Sequence, residues 1–497
     1  MRAVWALLAL VVVVALVLAA SCGKIPGASG PASAPTPLPT RHLGAGPRPT
    51  GPRQTTASPS PRPSAPPIAP AALTPVDRTA IALPDHVTPA PGLLHTDGTR
   101  VVDAAGRAVT LASVNWYGAE GPDYVPGGLD QLPYMRILLT IRALGFNSVR
   151  LPFSNELVER NPRVYEHLRA NPGLVGKPAL AIMDAILGGA RRAGLMVILD
   201  DHRSDVGWTA QENGLWYTPA YPESAWVADW VALATRYKDN PAVVGVDLRD
   251  EPHTTSGVEV LGVGYLHNGA TWGPFQGADN PATDWRLAAE QAGNAILAVN
   301  PRLLIVVEGT EIYPTKIAPT AAYCPGHADP AAGYCPDVYW WGGNLSGVTD
   351  YPVVLNVPHH LVYSAHEYGP QMHGQRWFTP TMTEADWQRQ FARHWGDLLA
   401  RTGPDAAPVW VGEFGTPHRS DLDVYNTRPV SQGQWFSALV HYIGQTHAGW
   451  AYWAINGTAS GAPNRHYGAP DSFGLLTPDW RHVARPLLLK TLRAIQS

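Results

Sequence analysis

The chain has 497 residues and a formal net charge of -4, with 36 Lys and Arg against 40 Asp and Glu. That length can bury a large core in one or two domains. The near balance of charge gives no reason to expect nucleic acid or an anionic membrane surface as partner.

Read from the N-terminus, Arg2 precedes the apolar run "AVWALLALVVVVALVLAA", which ends in small residues before "SCGK". Residues 1–22 therefore read as an export signal. The run is also long enough for a membrane anchor. Cys22 after "LAAS" approximates a lipoprotein box, with Ala19 where Leu is usual. From 23 to 91 the chain is dominated by Pro, Ala, Ser, Thr and Gly, as in "ASPSPRPSAPPIAP". Such a segment has too few apolar side chains to offset the entropy of ordering, and its prolines favour extended conformations. It reads as a disordered, semi-rigid tether for a globular domain spanning 92–497.

Within that domain, short apolar runs alternate with amphipathic segments. The expected strands are "VTLASVNW", "FNSVRLPF", "LMVILDDH", "VVGVDLRDE", "LLIVVEGTE", "LVYSAHEY", "PVWVGEFG" and "GWAYWAIN". Helix-like stretches between them include "LPYMRILLTIRALG", "ALAIMDAILGGARRAG", "SAWVADWVALATRYKD", "DWRLAAEQAGNAILAVN", "EADWQRQFARHWGDLLARTG" and "SQGQWFSALVHYIGQ". Eight strands with helical crossovers predict an α/β fold of the (β/α)8, or TIM-barrel, type. An open doubly wound sheet is the alternative, but no Gly-rich phosphate loop follows an early strand. Of the three cysteines, Cys324 and Cys335 fall in the globular part and are a candidate disulfide.

The strands share polar C-terminal ends: Asn115, Arg150, His202, Asp250, Glu251, His366, Tyr368, Glu413 and Asn456. In a parallel barrel these ends open on one face, where active sites sit. Glu251 in "VDLRDEPH" and Glu413 in "VWVGEFGT" each close an apolar run. They are the best candidates for the two carboxyl groups that glycoside hydrolysis requires. Glu413 also suits an ion pair with Arg150, which would keep it charged. Glu308 and Glu367 are lesser rivals. The 18 tryptophans serve core packing or flat platforms for sugar rings. Trp116, Trp208, Trp216, Trp272, Trp340 and Trp341 lie at strand ends or in loops, and half of them are expected to face a cleft. A metal-dependent hydrolase assembled from Asp200, Asp201, His202, Asp205 and His253 is a competing reading, without any tight ligand spacing. A non-catalytic glycan-binding protein is another.

In order along the chain, "NWYG", "GFNSVRLPFSNE", "VILDDHR", "DLRDEPH", "DWRLAAEQAGNAIL", "YWWGGNLSGV", "LVYSAHEYGP", "VGEFGT" and "AYWAINGTAS" together resemble glycoside hydrolase family 5, of clan A. The likeness covers nearly all of 92–497 and is nearest to the bacterial endo-1,4-β-glucanases, or cellulases. The resemblance implies a retaining, endo-acting hydrolase of β-1,4-glucan, with mannan, xyloglucan and mixed-linkage glucan as alternative substrates. It implies Glu251 as acid/base and Glu413 as nucleophile, with Arg150, His202, Asp250, His366, Tyr368 and Trp453 binding substrate. It implies no metal and no cofactor. The expected partner is a β-glucan polysaccharide or oligosaccharide, and the expected state is a monomer, extracellular or held at the cell surface. One position departs from the family: Asp250 stands where the pattern has Asn. An Asp there is expected to be partly protonated, or to accept a bond from a sugar hydroxyl while Arg150 or a histidine offsets its charge. A more acidic pH optimum than in an Asn-bearing relative is also expected.

Overall fold

The computed structural model describes residues 80–260, 264–274, 280–316, 334–375, 377–417, 430–461 and 465–496. The eight expected strands form one closed parallel barrel. They are β1 (Ala112–Asn115), β2 (Ser148–Ser154), β3 (Met196–Arg203), β4 (Val243–Asp247), β5 (Leu304–Glu308), β6 (Leu361–Tyr368), β7 (Val409–Gly415) and β8 (Gly449–Tyr452). Each pairs with its neighbours in sequence, and β8 closes on β1. Outside lie α1 (Tyr134–Ala143), α2 (Asn155–Arg160), α3 (Ala179–Arg192), α4 (Glu223–Arg236), α5 (Trp285–Val299), α6 (Glu384–His394), α7 (Gln432–Thr446) and α8 (Pro486–Arg493). The long stretch from 384 to 403 is helical only to His394 and continues as a 3-10 turn over Gly396–Ala400. The short α2 and the C-terminal α8 have too few residues to show a period in the sequence.

Helix starts follow local chemistry. α1, α3 and α4 begin directly after Pro133, Pro178 and Pro222. α5 and α7 begin where the Asp284 and Ser431 side chains accept from Leu287 N and Gln434 N. Thr383 and Asp386 form a reciprocal capping box on α6.

Alternation along the strands divides the apolar residues into two sets. Val197, Leu199, Ile305, Val307, Tyr363 and Val411 face the helices. Met196, Ile198, Val244, Leu304, Val306, Val362 and Trp410 fill the lower barrel, joined by Leu94 of an antiparallel hairpin, Leu94–Asp97 with Arg100–Asp103. Composition alone carries the tether to 91, yet 80–91 lies along the barrel. Arg136 Nη2 donates to Ile81 O at 3.3 Å, and Ile81 and Ala90 pack on the two apolar clusters.

Among the described residues twelve tryptophans are fully buried, and three of them cap the carbonyls where barrel strands end. Trp226 and Trp230 of α4 both donate Nε1–H to Leu248 O, at 3.2 and 3.1 Å. Trp285, the first residue of α5, donates to Glu308 O at 2.9 Å. Indoles thus replace the ladder partners that the strand ends lack. Trp285→Ala removes a fully buried ring and orphans the Glu308 carbonyl. It is expected to cost about 3–5 kcal/mol, measured by guanidinium denaturation.

Candidate active site

The same alternation delivers the polar residues. Above Met196 and Ile198, Asp200 and His202 follow on the inner face of β3. Above Leu304 and Val306 comes Glu308, and above Val362 come Ser364, His366 and Tyr368. Outward-facing members of the same strands meet other partners. Asp201 pairs with the buried Arg249 at 3.3 Å, and Glu367 accepts from Tyr339 Oη at 2.5 Å and Trp395 Nε1 at 2.8 Å.

At the centre is Arg150 of β2, fully buried. Its Nε donates to Asp247 at 2.8 Å and its Nη1 to Glu413 at 2.5 Å. Its Nη2 lies 3.0 Å from each of Asp200, Asp250 and Glu308. Asn115 Oδ1 accepts from Nη1 at 3.2 Å. Five carboxylates therefore share one guanidinium, whose fork can serve several acceptors in one plane.

Strict alternation from Trp410, which faces inward, would turn Glu413 outward with Val409 and Val411. A bulge prevents this. Ala365 pairs with Val411 and His366 with Glu413, so Gly412 is the extra residue. A Cβ at Gly412 would lie 2.5 Å from Ser364 Oγ, so glycine alone fits. Glu413 then accepts from both Arg150 and Tyr368 Oη, the latter at 2.8 Å.

Glu251 arrives differently. β4 ends at Asp247, and Glu251 sits in the loop beyond with φ +45°. This left-handed backbone is unusual for a residue with a side chain. Its N–H donates to Glu308 Oε2 at 2.8 Å, and its carbonyl is 2.7 Å from His253 Nδ1. Gly342, φ +66°, closes over it; a Cβ there would meet Glu308 Oε2 at 2.3 Å and Glu251 Cα at 3.2 Å. The Glu251 and Glu413 carboxyl groups and His366 bring one polar atom each within 4.8 Å of one another.

The two glutamates differ in surroundings. Glu251 is 18% exposed and Glu413 is 6% exposed. Burial pushes both carboxyl groups up, Asp250 pushes both further, and Arg150 opposes. Glu413 holds two direct donors, Arg150 and Tyr368, which favour its carboxylate form. Among the described residues Glu251 has only His366 Nδ1, at 3.1 Å. Burial, with Arg150 next, holds His366 well below its usual range, and burial holds His202 down at about 4, so both imidazoles are neutral. His366 Nε2 lies 3.1 Å from Glu308, and His202 Nδ1 lies 2.9 Å from Asp200 and 3.3 Å from Asp250.

Trp453, just beyond β8, stacks with Tyr117 (5.0 Å, 8°) and His202 (5.7 Å, 15°). The structure thus brings Arg150, His202, Asp250, Glu251, His366, Tyr368, Glu413 and Trp453 into one connected cluster. Asp247 and Glu308 belong to it as direct partners of Arg150, with Asp200. Glu308 carried a signal, an acid two residues beyond the inward Val306, whereas Asp247 stands three residues beyond the inward Val244 and is turned inward by a register shift of β4 against β3. Of the six loop tryptophans, Trp116, Trp216, Trp272 and Trp340 are buried packing residues, and only Trp208 and Trp341 are exposed, each at 40%. Trp341 stacks on His253 at 3.7 Å. Among the proposed metal ligands, Asp200 and His202 come together with Asp250, but the Arg150 guanidinium already lies against both acids. Asp201 faces Arg249 and His253 turns to a carbonyl, so the five do not converge. The disulfide expected between Cys324 and Cys335 involves Cys324, which lies outside the described residues.

Comparison with known proteins supplies the family. The family model for cellulases of glycosyl hydrolase family 5 matches residues 102–459. The chain belongs to glycosyl hydrolase family 5. An endoglucanase of Paenibacillus polymyxa is 38% identical over 396 residues, covering 80% of this chain and 85% of that one. The major extracellular endoglucanase of Xanthomonas campestris is 31% identical over 424 residues, covering 83% and 73%. Among solved structures, a cellotetraose complex of an endocellulase from Pyrococcus horikoshii aligns with a TM-score of 0.67 at 31% identity, covering 82% of this chain and all of that one.

In this family 5 chain the guanidinium is the shared counter-ion of a buried acidic cluster. Arg150→Met should therefore destabilise by about 3–5 kcal/mol at neutral pH. The deserted carboxyl groups would bind protons more tightly folded than unfolded. The loss should shrink as pH falls towards the ordinary carboxylate range, about 4. Denaturation midpoints across pH measure this; a loss independent of pH would contradict it.

Proposed function

We propose that Glu413 is the nucleophile and Glu251 the acid/base of a retaining endo-β-1,4-glucanase. The observation that carries this reading is the pair itself: two carboxyl groups within 4.8 Å at their nearest polar atoms, one held by two donors and the other beside a neutral imidazole. Retaining hydrolases place these groups about 5–5.5 Å apart, and inverting ones leave room for a water between.

In the first step Glu413 attacks the anomeric carbon, oriented by Arg150 Nη1 and Tyr368 Oη. Glu251, kept protonated by burial and by the negative field of Asp250, gives its proton to the leaving oxygen. In the second step Glu251, now ionised, takes a proton from water, which attacks the glycosyl-enzyme and frees Glu413. Neutral His366 accepts from or donates to Glu251 as its charge changes. Trp453 offers its indole to the sugar being cleaved. The relatives named endoglucanases and endocellulases support a β-1,4-glucan as substrate, and the cellotetraose complex supports binding of its oligosaccharides. The apolar run in 1–22 and the extracellular relative support export of the enzyme. The pair Cys324 and Cys335 is proposed as a disulfide of the exported form.

Glu251→Gln and Glu413→Gln should each lower release of reducing sugar from soluble cellulose derivatives by at least about 10²–10⁴-fold. Wild-type protein should release the β-anomer first, seen by proton NMR during early hydrolysis. Unchanged activity in both variants, or an α-anomer first, would sink the assignment.

Asp250 gives a sharper test, and its field argues for an optimum less acidic, not more acidic, than in an Asn-bearing relative. Its negative charge raises both Glu251 and Glu413. The acid limb of the profile requires Glu413 ionised, and the alkaline limb requires Glu251 protonated. Asp250→Asn removes that field, so both limbs of kcat/KM against pH should move to lower pH. Limbs that stay in place would mean that Asp250 carries its own proton throughout.

A further inference from the structure

One exposed tryptophan is joined to the cleavage point by a row of stacked groups that the mechanism above does not use. Tyr117, fully buried, stacks on Trp453. The Arg465 guanidinium lies over the Tyr117 ring at 4.7 Å and over the Trp208 ring at 5.4 Å. Arg465 is held in that place by Asp471, 3.1 Å away, and by the Tyr117 hydroxyl, which itself donates to Asp471. The Asp471 side chain is only 3% exposed.

The loop that carries Trp208 is built to hold it. It wraps the buried Arg203, whose Nε donates to Asp205 O at 2.5 Å, Nη1 to Thr209 O at 2.7 Å, and Nη2 to Glu212 at 2.8 Å. Gly207 packs against that guanidinium so closely that a Cβ would fall 2.1 Å from Arg203 Cζ. Val206 N donates to Glu156 at 3.1 Å and Gly207 N to Glu120 O at 3.1 Å. A loop wired this thoroughly presents a large apolar ring that is 40% exposed. Such a ring on a rigid support is a pre-organised binding surface.

We propose that Trp208, backed by Arg465, is a sugar-stacking platform for the glycone side of a β-linked glucan chain, beyond the sugar that lies over Trp453. The side follows from connectivity. Trp208 is linked through Arg465 and Tyr117 to Trp453, whereas Trp341, also exposed, is linked through His253 to the backbone of Glu251, which protonates the leaving group. The ligand class is an unbranched chain of pyranoses whose apolar C–H faces meet the indole. The bound cation on one face of the ring is an electrostatic brace that fixes its tilt. The proposal rests on the glucanase reading above.

The test uses full-length protein and a series of aryl β-cello-oligosaccharides with one leaving group and two, three or four glycone sugars. Trp208→Ala should lower kcat/KM by a factor that grows with glycone length, to about tenfold on the longest, with the loss in KM. Trp208→Phe should recover most of it, and Arg465→Met should show the same length dependence more weakly. A uniform loss across the series, or none, would overturn the platform. Tryptophan fluorescence of Glu413→Gln titrated with cellohexaose separates the two readings. Saturable quenching that weakens in Glu413→Gln/Trp208→Ala supports the platform even should hydrolysis fail, whereas equal quenching in both refutes it. Absence of hydrolysis by wild type on any β-glucan would refute the glucanase reading instead.

Discussion

One guanidinium organises this site. Arg150 contacts Asp200, Asp247, Asp250, Glu308 and Glu413 inside a barrel closed to water from below. In so dry a place five carboxylates cannot all be charged against one cation, because desolvation and mutual repulsion both favour protonation. Burial accordingly raises Asp200 to about 6 and Asp247 to about 7. The cluster behaves as a proton reservoir with one fixed positive charge. Which carboxylates keep their charge is decided by additional donors. Of the two glutamates at the cleft only Glu413 has such donors in the Arg150 terminal nitrogen and the Tyr368 hydroxyl, whereas Glu308, deeper in the barrel, is held by Arg150 and the Glu251 N–H.

The neutral histidines belong to the same balance. A protonated imidazole at His366 would compete with Arg150 for Glu413 and Glu308 and would draw the proton from Glu251. Burial and the neighbouring guanidinium keep it neutral. It can then serve as donor or acceptor according to the state of Glu251, 3.1 Å away. The chemical asymmetry between two glutamates of the same type thus follows from which of them Arg150 touches, and that is a matter of strand register.

Register is also where the sequence stops being sufficient. The eight strands and the six longer helices were legible because alternation and helical period are local signals. Inward placement of His202, His366 and Tyr368 follows from counting in twos from an apolar neighbour. Glu413 does not follow from that count, since only the bulge at Gly412 turns it inward, and a bulge is a property of two strands together. Glu251 depends on a left-handed residue roofed by Gly342, which is 91 positions away in the chain. Glu308 could have been found by the same counting that found His202, but Asp247 could not, because β4 shifts register against β3 between Val243 and Gly245. Glu308 was obscured because an acid ending a strand has two readings, and only the position of Arg150 chooses between them. The tryptophans show the opposite limit: their identity is plain, but burial decides their role, and four of the six loop candidates proved to be packing.

The buried tryptophans nevertheless bear on the site. The carbonyl of Leu248 lies just beyond β4, three residues before Glu251, and that of Glu308 belongs to the last residue of β5. A carbonyl at such a point normally turns to water or to a flexible loop. Here Trp226, Trp230 and Trp285 donate to them from the helices. Each indole fixes a strand end by a bond and by the bulk of a ring that cannot move without opening a cavity. A carboxyl displaced by about 1 Å loses much of its catalytic advantage. Rigid ends therefore matter more at β4 and β5 than elsewhere in the barrel. Tryptophan suits these places because one side chain supplies both an N–H that ends a ladder behind the site and the bulk that holds the strand end still.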